Sequence, residues 1–266
     1  MILNISHKTE YQFSEAPLYG LQQVRLTPQS HAGQTVISWN LIFDGGVVES
    51  TFSDQHQNSV HLVSLNEGVD RLTLISEGQV EIEDKSGLFG PHKGFAPLWL
   101  FLRTTPLTAP GKGIDKLIAP IMKTQETDIE KLHALSRNIG GRVKYEIGTT
   151  TSMTTAEESI KAKSGVCQDH SHIFIAAARR LGFPARYVSG YLMMTDRVSQ
   201  DATHAWAEAH IPDLGWVGFD VSNQISPDAR YVRVATGLDY SDAAPISGIT
   251  LGGQEDSIIV DVQVQQ

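Results

Sequence analysis

Cys167 is the sole cysteine among 266 residues, in Ser164-Gly165-Val166-Cys167-Gln168-Asp169-His170 ahead of an apolar run. His204 and Asp220 follow, so the chain offers a thiol, an imidazole and a carboxylate in that order. Brought together, these groups support acyl chemistry. The thiolate attacks a carbonyl, the imidazole takes up the thiol proton and returns it to the leaving amine, and the carboxylate orients and supports the imidazolium. Water resolves the acyl thioester by hydrolysis and an amine resolves it by transfer; both outcomes use the same three residues. The Cys167 backbone N–H is one expected oxyanion donor, and spacing names no second. The competing reading of Cys167 is packing, because free cysteine is among the most buried residue types.

The elements that must position these groups are legible. Residues 166–181 carry Ile173, Phe174, Ala176, Ala177, Ala178 and Leu181, then Gly182 and Pro184, which predicts a helix with a glycine C-terminal cap. Cys167 then falls in the first turn, where unpaired N–H groups and the helix dipole favour a thiolate. Residues 183–194 read as a strand. Residues 203–211 alternate, with His204, Trp206, Glu208 and His210 on one face and alanines on the other. Pro212-Asp213-Leu214-Gly215 supplies a turn, and Trp216-Val217-Gly218-Phe219-Asp220 a return strand.

Hairpin register is decisive for the chemistry. Pairing Ile211 with Trp216 would put Asp220 on the face away from His204. A three-residue loop pairing Ile211 with Gly215 sets Asp220 opposite Trp206 and diagonal to His204, about 7–8 Å away before side chains reach inward. The second register is expected.

The first hundred residues alternate, as in Thr35-Val36-Ile37-Ser38-Trp39-Asn40-Leu41-Ile42-Phe43 and Ser59-Val60-His61-Leu62-Val63-Ser64-Leu65. Turn signals at Asp44-Gly45-Gly46, Asn66-Glu67-Gly68 and Glu77-Gly78 divide them as in an antiparallel sandwich. Four prolines in residues 90–112 mark a boundary. Helical periodicity follows over residues 115–142, and a short helix over 155–163, capped by Thr154 or Thr155.

A formal net charge of -9 disfavours nucleic acid and anionic membranes as partners. No stretch approaches the roughly 18 apolar residues of a membrane span. The lone cysteine and the absence of a secretory signal make the cytoplasm the expected compartment. A peptide or protein substrate is the expected partner; the oligomeric state is open.

Gly165-Val166-Cys167-Gln168-Asp169, the segment Gly182 through Tyr191, His204-Ala205-Trp206-Ala207-Glu208 and Gly215-Trp216-Val217-Gly218-Phe219-Asp220 together resemble the transglutaminase-like superfamily core. The resemblance is to bacterial members of cysteine protease type, which carry an N-terminal β domain. It extends to Arg25-Leu26-Thr27-Pro28, Trp39, Asp54-Gln55-His56-Gln57-Asn58 and Thr236-Gly237-Leu238-Asp239-Tyr240-Ser241-Asp242. It implies an α+β fold: an N-terminal antiparallel β-sandwich-like domain over residues 1–95, then a papain-like transglutaminase core with C-terminal strands over 96–266. It also implies Cys167, His204 and Asp220 as the catalytic residues of a peptidase or amidase. Glutamine-to-amine transfer is the nearest alternative, and a non-catalytic binding or scaffolding role the more distant one. Three positions depart from the family pattern: Val221-Ser222-Asn223 where Pro-Thr-Asn is usual, His170-Ser171 where an aromatic and a small residue are common, and Leu238 where arginine is frequent.

No cofactor is expected. Cys167, His170, His172, His204 and His210 are metal-ligand types, but no C-x-x-C or H-E-x-x-H pattern is present. On a helix His170 and His172 point about 200° apart, so no metal site is expected, and they read as one core or rim histidine and one surface histidine. Trp206 reads equally as cleft wall and as core. Glu208 and Asp169 read as structural carboxylates needing partners, and Arg186 as the partner of a carboxylate.

Overall fold

The computed structural model describes residues 1–253 and 255–266. The N-terminal strands are β1 (Ile2–Phe13), β2 (Tyr19–Thr27), β3 (Gln34–Asp44), β4 (Gly46–Ser53), β5 (Ser59–Leu65) and β6 (Arg71–Ile82). After the short β7 (Leu88–Gly90) come α1 (Lys112–Ile118), α2 (Asp128–Gly140), β8 (Lys144–Tyr145), α3 (Ala156–Ala162), β9 (Ser164–Gly165) and α4 (Cys167–Arg180). The chain continues through β10 (Ala185–Leu192), β11 (Ser199–Gln200), β12 (His204–Ile211), β13 (Gly215–Phe219), β14 (Tyr231–Gly237), α5 (Tyr240–Ala243), β15 (Ile246–Leu251) and β16 (Glu255–Gln265).

Strict alternation in β1, buried at every second residue, packs one face of its sheet inward. Tyr11 and Phe13 of β1, Val24 and Leu26 of β2, Val63 of β5, and Leu72 and Leu74 of β6 form one buried cluster between two antiparallel sheets. Their strand orders are β11-β16-β1-β6-β3 and β15-β2-β5-β4. The C-terminal strands therefore leave the core: β16 pairs with β1 and β15 with β2. The sequence division kept these strands with residues 96–266; their pairing partners lie in the N-terminal sheets. Alternation shows that a segment is a strand; it carries no label for the edge it will pair with.

A correction concerns Gly78, read as a turn with Glu77. It lies inside β6, opposite Trp39 of β3. A Cβ there would stand 2.1 Å from the Ser38 carbonyl oxygen and 2.6 Å from the Trp39 ring. The glycine permits close strand approach beside a bulge between Val36 and Ser38, not a chain reversal.

The core centres on α4. From Ile173 to Ala178 every residue is buried, so the helix has no solvent face there and must be wrapped on several sides. Residues of α1, α2 and α3 cover it on one side, and Ala205, Ala207 and Ala209 of β12 on another. The small alanines allow the close approach. Its C-terminus is closed by Gly182 (φ 94°), with Gly182 N–H donating to Arg179 O and Phe183 N–H to Ala178 O, a Schellman motif. The antiparallel sheet β14-β10-β12-β13-β7 carries the rest of the core.

Family-like segments outside the core prove to be partners of one another. Asn58 Nδ2 donates to Thr236 O (2.7 Å) and Asn58 Oδ1 accepts from Thr236 N–H (2.8 Å), while Asp54 holds both Asn58 and Arg25. His56 reaches Asp242 at 3.2 Å. These bonds join the sandwich to β14 and the segment after it. Asn58→Ala should cost about 1–3 kcal/mol, because it orphans buried backbone groups of Thr236. Urea denaturation measures this, and a loss below about 0.5 kcal/mol would show that water replaces the amide.

Candidate active site

Cys167 opens α4 after Val166, which has extended backbone. The turn is fixed by Asp169, whose Oδ2 accepts from Val166 N–H (2.8 Å) and Thr150 Oγ1 (2.7 Å). Asp169 is buried, so its role is to hold the turn that presents the thiol. Burial raises its carboxyl pKa above the ordinary value, against those hydrogen bonds. Cys167 itself is half-buried and makes no disulfide. The packing expectation is met in part: Cys167 lies against the core cluster around α4, yet keeps access to solvent.

The β12–β13 hairpin pairs Ile211 with Gly215 and Ala207 with Phe219. Continued by one position, this sets Asp220 opposite Trp206, the register the chemistry requires. His204 Nε2 and Asp220 Oδ2 are 2.6 Å apart. Cys167 lies near enough to the same imidazole to add to the upward shift of its pKa. With Nε2 engaged by Asp220, Nδ1 is the nitrogen left for the thiol. The three residues singled out from sequence thus converge in the order thiol, imidazole, carboxylate.

Asp220 is fully buried and fully engaged. Besides His204, its carboxylate accepts from Asn223 N–H (3.1 Å), Asn223 Nδ2 (2.7 Å) and the Tyr231 hydroxyl (2.7 Å). Burial works to raise its pKa, but His204, Asn223 and Tyr231 hold it below the ordinary carboxylate value. Burial also opposes a charged His204, yet Asp220 and Cys167 outweigh it and raise the imidazole to about 10. His204 is therefore an imidazolium at neutral pH. Its pKa lies above the unfolded value of 6.5, so its contribution to stability is fully present below pH 6.5 and is lost as pH rises through about 10. Nitrogen-detected NMR should show the His204 ring protonated at pH 7.5 in wild type and titrating well above 8; a midpoint near 6.5 would break this account.

Tyr231 was invisible to sequence reasoning. It sits on β14, beyond a loop from Asp220, and only sheet pairing returns it. Tyr145 was missed for the same reason: parallel pairing sets it opposite Gly165, and its ring lies against His170 at 6.1 Å. Burial first, then the charges of Cys167 and Asp220, push its hydroxyl up to about 12. Asn223 had a signal, since it is the asparagine that survives in the departing Val221-Ser222-Asn223.

Two of the departures meet in space. Ser222 Oγ lies 2.9 Å from His170 Nδ1, and His170 Nε2 lies 3.1 Å from Val143 O. Both unusual residues serve each other rather than the thiol. Neither His170 nor His172 is at the surface, which corrects the expectation of one exposed histidine. His172 is wholly buried, accepts at Nε2 from Tyr240 N–H, and packs on Tyr187; burial lowers it to about 3. The apolar surroundings of α4 on all sides, which a single-face helical reading omits, explain the difference. Among the described residues no three His, Cys, Asp or Glu side chains converge as metal ligands. Trp206 is wholly buried beside His204 and Tyr231, so it is packing and not a cleft wall. Glu208 is wholly buried between Arg186 (2.6 Å) and Arg233 (3.0 Å), the structural pairing expected for Arg186 and Glu208.

A central helix that opens on a cysteine, a covering antiparallel sheet and an N-terminal β-sandwich define the transglutaminase-like class. The chain belongs to the transglutaminase-like superfamily: residues 115–221 match its core, and residues 3–81 match the bacterial transglutaminase-like N-terminal region. An uncharacterized protein of Mycobacterium tuberculosis is 31% identical over 288 residues, covering 98% of this chain and 90% of the relative. A protein-glutamine gamma-glutamyltransferase of Pseudomonas aeruginosa is 30% identical over 106 residues, covering 34% of this chain and 15% of the relative. In fold, the chain is similar to the crystal structure of a Cytophaga hutchinsonii protein suggested to be a cysteine protease. The TM-score is 0.80 at 23% identity, with 100% of this chain and 91% of that one covered. Among the described residues no helix is long and apolar enough to cross a membrane.

Proposed function

We propose that the protein is a cysteine-dependent amide hydrolase, a peptidase or amidase, in which Cys167 is the nucleophile, His204 the acid and base, and Asp220 the group that orients His204. The single observation that carries this reading is the 2.6 Å contact of His204 Nε2 with the buried Asp220 carboxylate, with Cys167 near the same imidazole. The Cys167 sulfur attacks the substrate carbonyl carbon with its proton on His204. Collapse of the tetrahedral oxyanion breaks the C–N bond, and His204 gives its proton to the departing amine. Water then adds to the thioester with His204 as base, releasing the acid and restoring the thiol. The backbone N–H of Cys167 points to one oxyanion contact in this scheme. A peptide or protein supplies the amide, and a cytoplasmic setting, in which a lone thiol stays reduced, belongs to the same proposal.

Similarity over 106 residues to a protein-glutamine gamma-glutamyltransferase favours a second outcome of the same chemistry, in which an amine replaces water. Incubation with a peptide library and a labelled primary amine separates the two. Cys167-dependent cleavage or ammonia release without label identifies the hydrolase; incorporation of label identifies the transferase. No Cys167-dependent product across a broad library would favour a binding role for the core.

A further inference from the structure

On the sheet face turned away from α4, between the core and the N-terminal sandwich, lies a cavity of about 480 Å³. Arg186 and Arg233 form part of its wall, and Trp216, Phe101 and Phe89 supply apolar surface. Each guanidinium is tied to Glu208 through Nε alone. Among the described residues, neither makes a further side-chain hydrogen bond, so their terminal nitrogens remain as unused forks. Two guanidinium charges against one carboxylate leave one positive charge, and Lys93 of the same wall adds a further cation. The Arg186 guanidinium lies 3.9 Å over the Trp216 ring, which fixes its plane.

Among the described residues, two histidines of the same wall carry buried nitrogens with no partner. His56 is 1% exposed at its side chain; its Nε2 faces Asp242, and its Nδ1 is unpartnered. His31 has Nδ1 against Ala32 O, so that nitrogen carries the proton, and its Nε2 is an unpartnered acceptor. Burial, with the charge of Arg233, lowers His31 to about 4, so the ring is neutral at pH 7. An acceptor of this kind takes an N–H or O–H donor from whatever fills the space.

We propose that this cavity is a binding site for a small monocarboxylate bearing an adjacent amide N–H, the chemistry of an N-acyl amino acid or of a peptide's C-terminal residue. The carboxylate takes the free forks of Arg186 and Arg233, the N–H meets His31 Nε2, and the apolar part lies on the aromatic wall. The planar forks and the aromatic wall beside them suit a carboxylate carrying an apolar group better than phosphate. The site is separate from Cys167 and does not depend on turnover there.

Calorimetric titration with N-benzoylglycine, its methyl ester, an N-acetylated tripeptide as acid and as amide, and inorganic phosphate tests the assignment. The acids should bind saturably, and ester and amide roughly tenfold or more weakly. The N-benzoylglycine and tripeptide arms distinguish free small molecule from peptide end. Arg233→Lys, which keeps the charge beside Glu208 but loses the planar fork, should weaken acid binding roughly tenfold; Cys167→Ala should bind as wild type does. The proposal is overturned if no acid saturates by about 10 mM, if ester matches acid, if phosphate binds more tightly, or if Cys167→Ala abolishes binding. Should Arg233→Lys fail to fold, the acid and ester comparison on wild type still decides.

Discussion

Cys167→Ala should reduce kcat/KM on any amide the protein cleaves by about 10³-fold or more, with the melting temperature little changed. The thiol is half-buried and alanine keeps its Cβ, so the expected loss is chemical. The accompanying Asp220→Asn change should cost about 10²–10⁴-fold in kcat and leave KM comparatively unmoved. Asparagine can still bond His204, but it removes the charge that supports the imidazolium, and it leaves Tyr231 and Asn223 bonded to an amide. The His204 pKa should fall in that variant, which NMR reads independently of turnover. Retained activity in Cys167→Ala would remove the thiol from the mechanism. An unshifted His204 in Asp220→Asn would remove the carboxylate from its role.

Glu208→Ala should be the most damaging substitution for stability, at about 3–5 kcal/mol. Glu208 is wholly buried, and among the described residues it is the only carboxylate that Arg186 and Arg233 touch. Burial foremost, and then repulsion from Arg233, lowers Arg186 to about 10 even with Glu208 present. Without the carboxylate, two guanidinium groups face each other beside Trp216 with nothing between them. Glu208→Gln should recover only part of the loss, since it restores an acceptor and no charge. Guanidinium chloride denaturation measures the difference. A loss below about 1 kcal/mol would mean that solvent in the neighbouring cavity screens the pair.

Much of the candidate site was legible because local rules produced it. The helix start at Cys167 and its glycine stop follow from capping, and the alternation of residues 204–211 from the pleat. The requirement for a three-residue hairpin loop followed from chemistry, and the pairing of Ile211 with Gly215 agrees with it. The readings that failed did so where one residue serves two purposes. Gly78 looked like a turn because glycine usually marks one, whereas here it makes room for Trp39. His172 looked like a surface residue because a helix ordinarily has a wet side, whereas α4 is enclosed.

Sequence by itself determined the candidate thiol, the order of the three candidate groups, the main strand and helix types, and the hairpin register, since each depends on neighbours within about twenty residues or on the parity of a strand. Tertiary structure alone decided what surrounds them. It brought Tyr231 and Asn223 onto Asp220, set Tyr145 beside the first turn of α4, folded β15 and β16 back onto the N-terminal sheets, and closed two arginines around Glu208. These are contacts between segments far apart in the chain. Their partners are chosen by complementary burial and hydrogen-bond satisfaction across whole faces, which no local pattern of residues encodes.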